Sequence, residues 1–138
     1  MSKYNEFYKK SIQDPELFWK EQADEIDWFA KPSAILSKDK NGYPLWFEDG
    51  QINMCYLTLD KHIQDGFGDQ IAFIYDSPVT QTIKKYTFHE VKSEVAKLAG
   101  GLLALGFKKG HTVIIYMPMI PQTAFAMLAC ARIGVIHS

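Results

Sequence analysis

Glycine pairs, scattered histidines and two cysteines are the residues whose chemistry could mark a site. Gly66-Phe67-Gly68 could in principle turn backbone N–H groups toward a phosphate, but it reads as a short turn closing a helix. Gly100-Gly101 lies inside a helical pattern, where its N–H groups are committed to the helix. No Gly-x-x-x-x-Gly-Lys-Ser/Thr string and no Gly-rich loop between a strand and a helix occurs. His62, His89, His111 and His137 are dispersed, and neither Cys55 nor Cys130 has a partner at metal-ligand spacing. Ser, His and Asp are all present, yet nothing resembles a nucleophile elbow. Asp60-Lys61-His62 reads as a solvated helix face, His89 as an exposed first-turn residue, and Trp19, Trp28 and Trp46 as packing aromatics.

The elements that would position such residues follow from patterning. Asp14-Pro15-Glu16 opens a helix expected to run to about Asp27, in which Leu17, Phe18, Gln22 and Ile26 give only a partial apolar stripe. From Trp28 to Gly50, Pro32, Asn41-Gly42 and Pro44 predict an extended wrapping segment. Asn53 to Gln64 is expected to be a short amphipathic helix with Cys55, Leu59 and Ile63 on one side. Ile71–Tyr75 and Thr82–Tyr86 read as an antiparallel strand pair across Ser77-Pro78. Thr87-Phe88-His89-Glu90 fits a capping box. The helix after it should bury Val91, Val95, Leu98, Leu102 and Leu105 and end at Gly106, with Phe107 folding back. Gly100-Gly101 costs about 1 kcal/mol per residue relative to Ala, which close packing of another backbone would justify.

Val113 to Met117, apolar throughout, predicts a central parallel strand. Pro118 to Pro121 breaks it and starts a helix to about Ile133, expected to bury Ala124, Met127, Leu128 and Ala131. Gly134 stops that helix, and Val135 begins another strand. Strand, helix, strand makes a βαβ unit, expected to be right-handed, within a doubly wound sheet. The strand beginning at Val135-Ile136 has no room to complete itself before Ser138, which suggests a fragment.

Composition excludes several function classes. Apolar residues make up 47% and charged ones 22% of 138 residues, enough for a packed core. The net charge of −1 offers no basic face for nucleic acid. No apolar run reaches the roughly 18 residues a membrane span needs. No signal or transit peptide is visible at Met1-Ser2-Lys3-Tyr4-Asn5. A cytoplasmic location with two free thiols is expected, an organellar one staying open.

The strings themselves carry a resemblance. Tyr116-Met117-Pro118-Met119-Ile120-Pro121 and Ala126-Met127-Leu128-Ala129-Cys130-Ala131-Arg132-Ile133-Gly134-Val135-Ile136-His137-Ser138 resemble the acetyl- and propionyl-CoA synthetases of the adenylate-forming superfamily. Asp14 to Ala23, Ile26-Asp27-Trp28, Trp46-Phe47-Glu48-Asp49-Gly50, Asn53 and Asp60-Lys61-His62 resemble the extension of the short-chain branch. The likeness runs from about Phe7 to Ser138. His111 stands where such sequences usually carry Asp, Gln122 where Glu is usual, and Leu57 where Asn is common.

The resemblance implies an α/β fold. Residues 1–52 would be the amino-terminal extension, helical and wrapping, and residues 53–138 the first part of a large AMP-binding domain with an incomplete doubly wound sheet. It implies a two-step ligase using ATP, Mg²⁺ and CoA, in which a short-chain carboxylate becomes an acyl-adenylate and then an acyl-CoA. Propionate is favoured over acetate by Asn53-Met54-Cys55 and the compact stretch between Ile26 and Trp46. The family's phosphate loop, adenine-binding strand, metal-binding Glu, ribose-binding Asp, catalytic Lys and Phe-Gly-Gly stretch would all lie beyond Ser138. No catalytic, cofactor-binding or metal-binding residue is therefore carried onto this sequence, and the segment alone is expected to be an inactive scaffold. It would pack against the rest of the large domain, with exposed apolar surface favouring self-association. The alternative reading is a non-catalytic truncated paralogue acting as an interaction module.

Overall fold

The computed structural model describes residues 2–138, which divide after Ile52 into two compact units. In the first unit, α1 (Lys3–Gln13) is capped by Ser2 and α2 (Pro15–Asp24) by Asp14, whose carboxylate accepts from Leu17 N–H at 3.0 Å. The Asp14-Pro15 opening thus forms as the sequence indicates. Sequence patterning did not pick out α1, although Tyr4, Phe7, Tyr8 and Ile12 fall at helical spacing. α2 ends at Asp24 rather than Asp27, because the Trp28 indole N–H donates to the Ala23 carbonyl at 2.7 Å and draws the chain away from the helix. The expected wrapping segment contains a hairpin, β1 (Leu36–Lys38) antiparallel to β2 (Pro44–Trp46). Its turn is held by Asp39, whose carboxylate accepts from Asn41 and Tyr43 N–H, and by Gly42 at φ +86°.

The second unit starts with Asn53 and a helical stretch containing two wide, π-type turns, Tyr56–Asp60 and Ile63–Phe67. β3 (Ile71–Ser77) and β4 (Thr82–Thr87) pair antiparallel as expected. α3 (Phe88–Ala104) opens on the full capping box: Glu90 N–H donates to the Thr87 hydroxyl at 3.2 Å, and Thr87 N–H to the Glu90 carboxylate at 2.8 Å. It closes with Gly106 at φ +88°, Gly106 N–H on Leu103 O and Phe107 N–H on Leu102 O. This is the Schellman pattern foreseen at Gly106-Phe107. β5 (Thr112–Val113), α4 (Pro121–Ile133) and β6 (Ile136–His137) form a parallel strand–helix–strand unit.

The core gathers Cys55, Leu59, Tyr86, Val91, Val95, Ala99, Phe125 and Ala129 where α3 packs on α4. The buried stripe of α3 is therefore Val91, Val95 and Ala99, with Leu102 partly covered, while Leu98 and Leu105 are exposed. α4 buries Phe125, Ala129 and Cys130, and leaves Met127 exposed. α4 is apolar nearly all round, so periodicity alone could not choose its inward face. Nothing lies within 4 Å of a Cβ placed on Gly100 or Gly101, so the close backbone packing expected there is absent among the described residues.

Among the described residues the strands form three separate pairs. β5 is shorter than the expected Val113–Met117 strand. Backbone pairing runs on through Ser138 N–H to Val113 O (3.0 Å) and Ile115 N–H to Ser138 O (2.7 Å), while Ile114 and Tyr116 face solvent, Tyr116 at 100% exposure. A strand apolar on both faces needs a layer on each, and no described residue supplies one here.

Gly134 closes α4 in the left-handed region at φ +72°, with the Lys109 side chain lying against it. A side chain there costs about 1–2 kcal/mol in backbone strain alone, and Lys109 must also move. Gly134→Ala should lower the urea midpoint accordingly with an unchanged m-value.

Candidate functional site

Residues with polar chemistry converge in the second unit around the carboxy-terminal end of α4. The last carbonyls of any helix lack intrahelical donors. The Asn53 side-chain amide supplies them, donating to Ala131 O at 3.2 Å and Arg132 O at 3.0 Å. Its other side-chain atom, Oδ1, accepts from Tyr56 N–H at 3.1 Å and caps the helical stretch that Asn53 begins. One side chain thus finishes one helix and starts another.

Within that stretch Lys61 N–H bonds to Tyr56 O, five residues back, giving a wide turn. Consecutive Leu59 and Asp60 both face inward, at 2% and 8% exposure. Asp60 was expected on a solvated face; it is instead an anchor. Its Oδ2 accepts from Arg132 Nη2 at 2.6 Å and its Oδ1 pairs with Lys92 Nζ at 2.9 Å. Of its neighbours in the sequence, Lys61 pairs with Asp65, and His62 packs its ring on Phe88 at 5.1 Å.

Burial opposes the charged form of Asp60, but the hydrogen bonds and charges of Lys92 and Arg132 outweigh it, so its pKa lies below the ordinary carboxylate value. Burial pushes the Cys55 thiol up, against the pull of the neighbouring Arg132, and burial alone raises Cys130. Both cysteines are free and buried. A carboxylate held by two cations is a poor base, and protonated buried thiols are poor nucleophiles. The arrangement is a clamp joining three helical segments. Nε of Arg132 is buried without a partner.

The other candidates stay apart. Among the described residues no three His, Cys, Asp or Glu side chains converge on a metal position. His89 is exposed and lies against Gly68, whose carbonyl accepts from its backbone N–H at 3.0 Å. Gly66-Phe67-Gly68 closes the helical stretch, with Gly66 at φ +88°. In the first unit Trp19 meets Trp46 edge-on at 6.4 Å, and Trp28 packs on Phe47 at 5.8 Å.

Two of the clefts that border the core carry distinct linings. One, about 320 Å³, is lined by apolar groups of Leu59, Phe73, Phe88, Ala124 and Leu128 and by Thr58, with no charged residue. Thr58 already donates to Met54 O. The other, about 290 Å³, is polar, but its charges are engaged. Lys84 sits over the Tyr86 ring at 4.5 Å, Glu90 serves the capping box, and Glu94 pairs with Lys97. The residues present do not fit Mg-ATP. The amino terminus of α3 is closed by its own cap, α4 starts with a proline that has no N–H, and among the described residues no group of three His, Cys, Asp or Glu side chains stands ready for a cation. No helix is long and apolar enough to cross a membrane among the described residues.

Besides their family-like strings, the sequence placed Asn53 at a helix start and Asp60 on a solvated face, with no sign of the junction they form. The tie from Asp60 to Arg132 spans 72 positions and leaves no local signal.

Comparison with known proteins accounts for the whole chain. Residues 4–58 match the family described as acetyl-coenzyme A synthetase N-terminus, and residues 60–138 match AMP-binding enzyme. The human protein named acyl-CoA synthetase short-chain family member 3, mitochondrial, is 50% identical over 137 residues, covering 99% of this chain and 20% of that protein. An acetyl-coenzyme A synthetase of Magnetococcus marinus is 45% identical over 137 residues, covering 98% of this chain and 21% of that protein. The structure of acetoacetyl-CoA synthetase from Streptomyces lividans superposes with a TM-score of 0.84 at 27% identity, over 100% of this chain and 21% of that one. The chain therefore spans about a fifth of the length of the relatives it matches.

Removing the carboxylate charge of Asp60 leaves Lys92 and Arg132 facing each other. Asp60→Asn should cost about 2–3 kcal/mol, below the figure for a fully buried pair because both cations are partly solvated. Lys92→Ala should cost less than about 1 kcal/mol. The folded pKa of Asp60 lies below its unfolded one. Its contribution is therefore complete above the usual carboxylate pKa of about 4 and disappears as pH falls through the folded value. Urea unfolding of wild type and Asp60→Asn across that range should converge at the acid end.

Proposed function

The chain belongs to the AMP-binding enzyme family, and from that premise we propose that it forms the amino-terminal part of an AMP-forming short-chain acyl-CoA synthetase. The observation that carries this reading is the order of the two family matches. An acetyl-CoA synthetase amino-terminal region (4–58) runs directly into an AMP-binding region (60–138), with a compact unit boundary after Ile52. In domain terms, residues 1–52 are the extension and residues 53–138 the first part of the large AMP-binding domain.

The reaction is the ligation of a short carboxylate to CoA at the expense of ATP. The carboxylate displaces pyrophosphate from the α-phosphate to give an acyl-adenylate, and the CoA thiol then displaces AMP. ATP supplies the leaving group, and Mg²⁺ offsets phosphate charge in the complete enzyme. The residues of this chain take the role of scaffold. Asn53, Asp60, Lys92 and Arg132 hold α3 and α4 together and so fix β6, from which the polypeptide of a longer product would continue. None is assigned a catalytic, cofactor-binding or metal-binding part.

Propionate is the acid we favour over acetate. Asn53-Met54-Cys55 and the compact stretch between Ile26 and Trp46 support that reading. The two buried free thiols suit a reducing compartment, and the cytoplasm is the location we assign.

The 138-residue chain alone should release no pyrophosphate from ATP with propionate and CoA. The product of a longer reading frame containing it should release pyrophosphate and form acyl-CoA, with kcat/KM higher for propionate than for acetate. A coupled pyrophosphate assay checks both. Inactivity of the longer product would favour an interaction module, and a preference for acetate would reverse the substrate assignment alone.

A further inference from the structure

The chain holds three asparagines, Asn5, Asn41 and Asn53, and the fold treats them differently. The Asn53 side-chain amide is half-buried and spent on the carbonyls of Ala131 and Arg132. Asn5 lies in the first turn of α1, where the backbone is helical and the next residue is Glu6. Asn41 stands exposed at the tip of the β1–β2 hairpin and is followed by Gly42. Its side-chain amide has no hydrogen-bond partner among the described residues. Apart from its chain neighbours, no described atom lies within 4 Å of a Cβ placed on Gly42, so the space beside that glycine is open.

An asparagine in this setting can close on its own backbone, because glycine has no Cβ to block the approach of its nitrogen. The Gly42 nitrogen gives its proton to solvent base and attacks Cγ of Asn41. The new N–C bond closes a succinimide ring, and the bond from Cγ to the amide nitrogen breaks, releasing ammonia. Water then opens the ring, its hydroxyl going to a carbonyl carbon and its proton to the ring nitrogen. Opening at the former side-chain carbonyl leaves aspartate. Opening at the main-chain carbonyl leaves isoaspartate, in which the chain runs through the side chain and gains a methylene. Nothing is oxidised or reduced.

The turn itself opposes this step. Gly42 N–H is held by Asp39 O at 3.0 Å, and the Asp39 carboxylate accepts from Asn41 N–H at 2.8 Å and Tyr43 N–H at 2.9 Å. A nitrogen whose proton is engaged is a poor nucleophile, and a nearby carboxylate disfavours the negative charge that builds on it. The reaction therefore runs through the opened turn. Opening is local: β1 and β2 have three residues each and pair only with one another, and so short a hairpin is marginal in water. We propose that Asn41-Gly42 is a spontaneous modification site of this chain, converted to aspartate and isoaspartate, and that Asp39 restrains the conversion. The isoaspartate form lengthens the turn next to the Lys38–Pro44 pair and so loosens the register of the hairpin. This reading is independent of the ligase assignment.

The test is incubation of the 138-residue chain at mildly alkaline pH, followed by peptide mapping with mass spectrometry. Isoaspartate is counted by methyl transfer from S-adenosylmethionine with a purified isoaspartyl methyltransferase. Asn41 should lose its amide and methyl-accepting sites should appear, while Asn5 and Asn53 keep their amides. Gly42→Ala should slow the loss about tenfold, because the added methyl crowds the attacking nitrogen. Asp39→Ala should speed it about fivefold, the effect of removing hydrogen bonds that close the turn. Helix content by circular dichroism should stay unchanged in Asp39→Ala, which a general folding defect would not allow. A wild-type chain that keeps the Asn41 amide, or loses that of Asn5 or Asn53 as fast, overturns the site. A rate indifferent to Gly42→Ala overturns the ring closure, and one unchanged or slowed in Asp39→Ala overturns the restraint.

Discussion

The carboxylate of Asp60 is where three helical segments of the second unit meet, and the arrangement of that unit depends on how it is neutralised. Withdrawing a carboxylate from water costs several kcal/mol unless cations and hydrogen bonds replace the lost solvation. Arg132 arrives from the last turn of α4 and Lys92 from the first half of α3, while Asp60 itself comes from the wide turn after Asn53. Asn53 closes the same junction from the other side by capping the carbonyls of Ala131 and Arg132. Arg132 also places a positive charge at the negative end of the α4 dipole. The same few groups therefore solvate a buried charge, terminate a helix and fix the departure of β6.

Hydrophobic burial would permit many packings of α3 on α4, because it is non-directional. The contacts of Val91, Val95, Ala99, Phe125 and Ala129 give the two helices a reason to associate, not a unique angle or offset. The directional bonds from Asp60 and Asn53 single out one arrangement, since sliding α4 by a turn would strand Arg132 and two carbonyls. Beyond this junction the unit is open. Ile114, Tyr116 and Ile136 are exposed on and beside the β5–β6 pair. The relatives that share this sequence are about five times as long.

Much of the fold was legible locally because the devices that set it are local. Thr87 and Glu90, Asp14 and Pro15, and Gly106 and Gly134 act within one helical turn, and each forms as its residue type requires. What escaped the sequence was decided by tertiary contact. α2 stops early because an indole from outside the helix takes one of its carbonyls. β5 stops short because no layer covers its far end. The buried face of α4 was ambiguous because Ala, Met and Leu surround it. α1 was overlooked although its spacing was helical, because an apolar stripe that stays exposed within the unit leaves no core to associate it with.

The clamp was the least legible part, and its own chemistry suits structure rather than catalysis. Asp60 reads from sequence as one charge in a polar triplet; only the fold brings Arg132 to it across 72 positions. Once there, the features that make a polar cluster useful for structure disqualify it for catalysis. Its carboxylate is held ionised by two cations, its thiols are kept protonated by burial, and its helix ends are capped from within. A nucleotide site needs the opposite: unspent N–H groups and cations whose charge is not already matched. A cluster whose charges are matched by one another gives its surroundings a fixed geometry rather than a free charge.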